Sequence, residues 1–143
     1  MCNPKKIILI LFLVIGCEKT STEPEGTLSV KTDSNEYAGI ARVAFVLKND
    51  SKSTVYFLHC NYHIAFYIER KDSSWVDAGS NGIECQAKHT SGLMELKPNE
   101  SIRDTFFIPQ SGTLRLKFPY SLRQESINQK FLYSNEYYNF NPR

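Results

Sequence analysis

The sequence predicts an all-β domain: an antiparallel sandwich of seven to eight short strands, preceded by a leader and a short tether. Three observations carry that expectation. From Thr27 onward apolar and polar residues alternate with period two, in segments rich in Val, Ile, Phe, Tyr and Thr. Turn-forming clusters punctuate these segments at intervals of about 8–12 residues, the spacing of a sandwich. No window long enough for a stable helix carries a clean stripe at helical spacing; the segment nearest to one is Ser121 to Phe131. With 143 residues, 41% of them hydrophobic and including 9 Phe and 8 Tyr, the chain suits one domain with a real core. That content excludes a disordered chain, and 7 Gly with 6 Pro excludes a collagen-like one.

The first segment stands apart from the fold. Lys5 and Lys6 form a positive start, and Ile7 to Ile15 is an unbroken apolar run, IILILFLVI. A spanning helix needs roughly 18 or more such residues, so the run reads as the core of a signal peptide. It ends in Leu13-Val14-Ile15-Gly16-Cys17. Lysines, apolar core and this box, in order, resemble the bacterial lipoprotein signal. The resemblance implies cleavage before Cys17, lipid attachment on its thiol, and a place in the bacterial cell envelope with the lipid in the membrane. Glu18, where an Asp commonly retains such proteins at the inner membrane, favours the outer membrane in a two-membrane cell. Positions 1–16 are then the signal peptide, 17–26 the lipidated cysteine with its tether, and 27–143 the domain. The polar stretch Glu18 to Gly26 (EKTSTEPEG) has no hydrophobic side chain and reads as a flexible tether. It reaches about 30 Å fully extended, so a ligand of the domain lies near the membrane surface.

Processing also sets the charge. The chain has 17 Lys and Arg against 15 Asp and Glu, and removing the leader removes Lys5 and Lys6. The mature protein is balanced, without the basic excess of a nucleic-acid binder, so no nucleic-acid partner is expected.

The elements follow in order. Leu28 and Val30 alternate with polar neighbours in a first short strand, and Asp33-Ser34-Asn35 turns the chain. Ala41 to Lys48 puts Ala41, Val43, Phe45 and Leu47 on one face, before Asn49-Asp50-Ser51-Lys52-Ser53 breaks the run. Thr54 to His59 sets Val55 and Phe57 opposite Tyr56 and Leu58, and Ile64 to Glu69 aligns Ile64, Phe66 and Ile68. Lys71-Asp72-Ser73-Ser74 turns into a strand at Trp75-Val76, and Gly79 to Gly92 reads as a loop. Leu96-Lys97-Pro98-Asn99-Glu100-Ser101 is a turn before the strand Ile102 to Ile108. Gly112 opens a strand with Leu114, Leu116 and Phe118 in register; a looser segment then precedes a last strand from about Asn135 to Phe140. The tetrapeptide Ser-Asn-Glu-Tyr occurs at Ser34 and again at Ser134, but the surroundings differ and no repeat is expected.

The stretch from Tyr37 through Asn49, the turn from Leu96 to Ser101, and Gly112-Thr113-Leu114-Arg115-Leu116 together resemble the immunoglobulin-like domains of bacterial envelope lipoproteins. The resemblance spans most of 27–140 and implies an immunoglobulin-like sandwich. The same strand and turn are similar to bacterial intracellular proteinase-inhibitor domains, which makes inhibition an alternative role. Leu114 stands where many such domains carry a corner Tyr, and the cysteines do not follow the antibody arrangement.

Cys60 and Cys85 remain once Cys2 falls in the leader and Cys17 is lipidated. An even pair in an exported protein is expected to form a disulfide. It would close a loop worth about 3–4 kcal/mol in the chain-entropy model. The alternative is a metal site: Cys60, His63, Cys85 and His89 supply two thiolates and two imidazoles in tetrahedral number, with His59 as a spare. An oxidising compartment favours the disulfide, so no metal or other cofactor is expected.

The motifs of nucleophilic hydrolases, phosphate loops, dinucleotide folds and zinc proteases are absent, and the chain is not expected to be an enzyme. Glu69, Asp72, Asp77 and Glu84 fall near turns, where acidic groups ordinarily sit solvated. The expected function is binding of a protein or glycan partner in the envelope. Tyr62, His63, His89 and Trp75, around the cysteine loop, are the candidate binding residues. A second candidate is aromatic. Tyr56, Tyr62, Tyr67 and Trp75, around the cysteine loop, with Phe131, Tyr133, Tyr137, Tyr138 and Phe140, toward the C-terminus, either fill the core and cover edge strands or form a platform for glycan or peptide. Alternation places Tyr138 and Phe140 on one face and Tyr137 on the other.

Overall fold

The computed structural model describes residues 26–60, 63–81, 92–124 and 130–140, with the backbone alone at Ala41 and Cys60. All regular structure in these residues is β, in twelve segments, and none of it is helical. They are β1 (Leu28–Thr32), β2 (Glu36–Ala38), β3 (Ala41–Asn49), β4 (Val55–Cys60), β5 (His63–Ile64), β6 (Tyr67–Lys71), β7 (Trp75–Ser80), β8 (Gly92–Leu96), β9 (Ser101–Ile108), β10 (Gly112–Ser121), β11 (Lys130–Tyr133) and β12 (Tyr137–Phe140). The expected strands are present, the one over Ile64 to Glu69 in two pieces, and the additional segments β2, β8 and β11 are three to five residues each. Of the segment read as nearest to a helix, Ser121 ends β10 and Lys130 opens β11, while 125–129 lie outside the described residues.

The strands form two sheets. The smaller has the order β1-β3-β9, all antiparallel. The larger is organised by β10, the longest strand. One edge of β10 pairs β12 near Leu114 and β11 near Phe118; the other pairs β6 along Leu114–Lys117 and β4 at Tyr120. Beyond these, β7 joins β6, β8 and β5 join β4, and β2 joins β12 in parallel.

One core lies between the sheets, as in a β-sandwich. Val30, Val43, Phe45 and Leu47 come from the smaller sheet, facing Val55, Phe57, Ile68, Leu114, Leu116 and Phe118 from the larger. The inward residues are those that the alternation selects, so each strand buries one face. Its centre is aromatic: Phe45 stands 5.0 Å from Phe118, 5.7 Å from Phe106 and 5.8 Å from Phe66 between ring centroids.

Three local departures from the sequence expectation have physical causes. The strand expected over Ile64 to Glu69 is interrupted at Ala65-Phe66. There the Asn81 side chain takes over the ladder bonds: Nδ2 donates to Ile64 O at 2.7 Å and Oδ1 accepts Phe66 N–H at 2.7 Å. The loop expected from Gly79 to Gly92 is shorter than that, since Gly79 and Ser80 end β7 and Gly92 opens β8; 82–91 lie outside the described residues. The two Ser-Asn-Glu-Tyr copies meet in space. Asn135 Nδ2 donates to Asn35 Oδ1 at 2.9 Å, and Tyr37 packs edge-on against Tyr137 at 5.5 Å, beside the parallel pairing of β2 and β12.

Candidate functional site

The outer face of the larger sheet carries the densest chemistry among the described residues. On β10, Arg115 and Lys117 alternate with the buried Leu114, Leu116 and Phe118 and therefore point away from the core. Register aligns Glu69 of β6 with Arg115 and Tyr67 with Lys117. On the other side of β10, Tyr133 of β11 stands opposite Lys117, with Phe131 two residues along. On β7, Asp77 stands beside Glu69, and Trp75 beside Lys71. Four neighbouring strands thus present acids, bases and rings on one surface.

Glu69 holds this surface together. Its Oε2 accepts from Arg115 Nε at 2.8 Å and lies 2.6 Å from Nη2, and its Oε1 lies 3.1 Å from Lys117 Nζ. Its side chain is only 12% exposed, which corrects the expectation of a solvated turn carboxylate. Burial pushes its carboxyl upward, but the hydrogen bonds and charges of Arg115 and Lys117 outweigh burial and hold it below its ordinary value of 4.5. The cations are framed by rings. Arg115 Cζ lies 4.1 Å from the Trp75 ring centroid and 4.2 Å from that of Tyr133, and Lys117 Nζ lies 4.4 Å from Phe131. Next to this group Tyr67, Glu69, Asp77, Lys117 and Phe131 line a cleft of about 160 Å³.

Because the folded Glu69 carboxyl lies below 4.5, its stabilising contribution is complete above that pH and is lost as the pH falls through the lower folded value. Glu69→Gln is expected to cost about 1–3 kcal/mol at pH 7, less than a fully buried pair because Arg115 and Lys117 keep some contact with water. Urea unfolding at pH 7 and at pH 3 checks it: the loss caused by the substitution must shrink at the lower pH.

The residues singled out from the sequence are distributed differently. His63, in β5, sets Nδ1 2.9 Å from Asp104 Oδ2 of β9, an exposed link between the two sheets. The Cys60 backbone pairs with that of His63 where β4 meets β5. Cys17, Tyr62, Cys85 and His89 lie outside the described residues, as does the Cys60 side chain, and with them the expected lipidation, disulfide and alternative metal set. Among the described residues no group of three or more His, Cys, Asp or Glu could hold a metal ion. Trp75 lies at the Lys71 end of the β6–β7 hairpin, whereas His63 precedes its Tyr67 end, so Trp75 joins Arg115 and not the histidine. Tyr137 is buried while Tyr138 and Phe140 are exposed, as alternation requires. Arg115, Lys117 and Glu69 were not among the expected site residues. Their only local signal is outward alternation; their convergence depends on the pairing of β6 with β10, 46 residues apart at Glu69 and Arg115.

The chain matches no protein-family model and no curated protein. Among solved structures it is similar to a β-glucosidase from Listeria innocua in complex with gluconolactone, with 13% identity and a TM-score of 0.28. That alignment covers 78% of this chain and 16% of the other. A likeness at that score carries no argument about fold or activity.

Proposed function

We propose that this chain is a lipid-anchored protein of a bacterial cell envelope, with an immunoglobulin-like sandwich that acts as a binding module and not as an enzyme. The observation that carries the binding role is the ordered outer face, where Glu69 fixes Arg115 and Lys117 between the rings of Trp75, Tyr133 and Phe131. Half-exposed rings around prepositioned polar groups are the composition of a recognition surface on a rigid scaffold. The address is supported by the Leu13-Val14-Ile15-Gly16-Cys17 box after its lysines and apolar core. Acyl chains on Cys17 contribute about 0.8 kcal/mol for each buried methylene, so two or more hold the domain durably at the membrane. Glu18 supports the outer membrane where there are two. The sandwich type is supported by the two-sheet core and by the family resemblance of the stretch from Tyr37 through Asn49.

Two measurements test the parts separately. The wild-type chain expressed in a bacterium is expected in the membrane fraction, starting at Cys17 with an acyl mass increment, and Cys17→Ser is expected to lose both. A mature wild-type polypeptide that starts elsewhere, unmodified and free in the medium, would overturn the anchor. For the binding role, the full chain purified in detergent is expected to retain isolated envelope fragments, and Tyr133→Ala with Trp75→Ala to lose most of that retention while the thermal melting transition persists. Retention indifferent to both substitutions removes this face from the function.

A further inference from the structure

We infer that the cleft between Tyr67 and Phe131 is a subsite for one ring of a neutral saccharide, an inference that rests on reading this face as the binding surface. Tyr67 and Phe131 are large side chains left 39% and 38% exposed, one on β6 and the other on β11, and both line the cleft. Two carboxylates and one ammonium, those of Glu69, Asp77 and Lys117, complete the lining. These groups are held before any ligand arrives. Glu69 is clamped by Arg115 and Lys117, and Asp77 Oδ1 accepts Gly79 N–H at 2.8 Å.

Each ligand class meets this lining differently. An anion approaches two carboxylates, and the two cations nearby already share Glu69. A cation approaches Lys117. A wholly apolar ligand strips water from Asp77 and Lys117 and returns no hydrogen bond, which costs free energy. A sugar ring avoids all three conflicts. Its C–H face packs on Tyr67 and Phe131, and its hydroxyls donate to the carboxylates and accept from the ammonium. Size agrees: about 160 Å³ is below the volume of a drug-sized ligand site and suits one ring with its neighbours running out over the sheet. A peptide would take its main affinity from an open strand edge, whereas this cleft lies on a sheet face.

The test is retention of the full chain, in detergent, on immobilised neutral oligosaccharides of hexoses and N-acetylhexosamines, beside acidic oligosaccharides and peptides. Wild type is expected on the neutral set. Tyr67→Ala and Phe131→Ala are each expected to weaken that retention roughly fivefold or more, through loss of stacking area, while Tyr67→Phe keeps it. Asp77→Asn is expected to weaken it roughly threefold, because an amide replaces a charged acceptor. All three positions are on the surface, and an unchanged melting temperature confirms the fold. No retention on the neutral set, retention confined to acidic glycans or peptides, or neutral retention that survives both alanine variants would overturn the saccharide assignment. The envelope-fragment assay with Tyr133→Ala and Trp75→Ala then separates the two failures. If it still responds, the face binds something else; if it does not, the binding-face reading falls with the inference.

Discussion

Replacing Phe45 by alanine is expected to cost about 3–5 kcal/mol and to lower the melting temperature by about 10–25 °C. Phe45 is fully buried in β3, and the rings around it come from both sheets. Phe106 belongs to the same sheet, whereas Phe118 lies on β10 and Phe66 in the break before β6. Deleting the ring removes its transfer free energy and leaves a void that cannot readily collapse. The neighbouring rings are fixed by backbone pairing on two separate sheets, and Phe66 already packs 4.3 Å from Phe106. Phe45→Leu keeps most of the volume and should lose less than half as much. Phe107→Ala is the control: a ring of the same size, 68% exposed, whose loss should stay within about 0.5 kcal/mol. Urea unfolding of the three variants decides the matter. A Phe45→Ala loss near that of Phe107→Ala would mean that the two sheets do not meet through this cluster.

That cluster was legible in the amino-acid sequence because strand alternation is a local signal. Val43, Phe45 and Leu47 face inward as expected, as do Val55 with Phe57, and Leu114 with Leu116 and Phe118. The same rule separated Tyr137 from Tyr138 and Phe140. What escaped depends on partners distant in the chain. Strand β8 begins with Gly92 and carries Leu, Met and Glu, residues with no strong strand preference, and its ladder with β4, from Val55–Leu96 to His59–Gly92, decides its state. The interruption at Ala65-Phe66 is set by Asn81, whose amide supplies the bonds that a continuous strand would have made. Glu69 looks like a turn carboxylate beside Lys71-Asp72-Ser73-Ser74, and only its register with Arg115 makes it the centre of an ionic cluster. The Ser-Asn-Glu-Tyr copies looked unrelated, yet the parallel pairing of β2 with β12 sets them side by side. Faces could be read from the sequence; register could not, and the candidate site is a product of register.

Asn49→Ala is expected to cost about 2–4 kcal/mol, although the position reads as the first residue of a polar break. Asn49 is fully buried, and its amide uses every bond it has on one small region. Nδ2 donates to Ser53 O and Leu96 O, both at 2.9 Å, and Oδ1 accepts from Ser51 N at 3.1 Å and Ser51 Oγ at 2.6 Å. Its backbone adds Asn49 N–H to Glu100 O at 3.0 Å and Asn99 N–H to Asn49 O at 2.7 Å. The amide thus fastens the β3–β4 loop to the turn before β9. Alanine takes a donor from Leu96 O and Ser53 O and the acceptor from Ser51 N–H, in a space from which water is largely excluded, while Ser51 Oγ keeps Ser53 O at 3.1 Å. Asn49→Asp should be no milder, because a carboxylate oxygen then faces Ser53 O and Leu96 O where an N–H stood. Ser51→Ala, which removes only the hydroxyl, should cost about 1 kcal/mol. The loop also meets the residues that lead into β1. Asp50 N–H donates to Thr27 O at 2.9 Å, and Gly26, at φ +107°, sits so close that an added Cβ would lie 2.8 Å from Ser51 Cα. Losing Asn49 should therefore loosen the point where the chain enters β1, and the amides of Asp50 and Asn99 should exchange hydrogen faster than the Phe45 core. Wild-type stability, or exchange that rises equally throughout, would show that this amide does not organise that end of the sandwich.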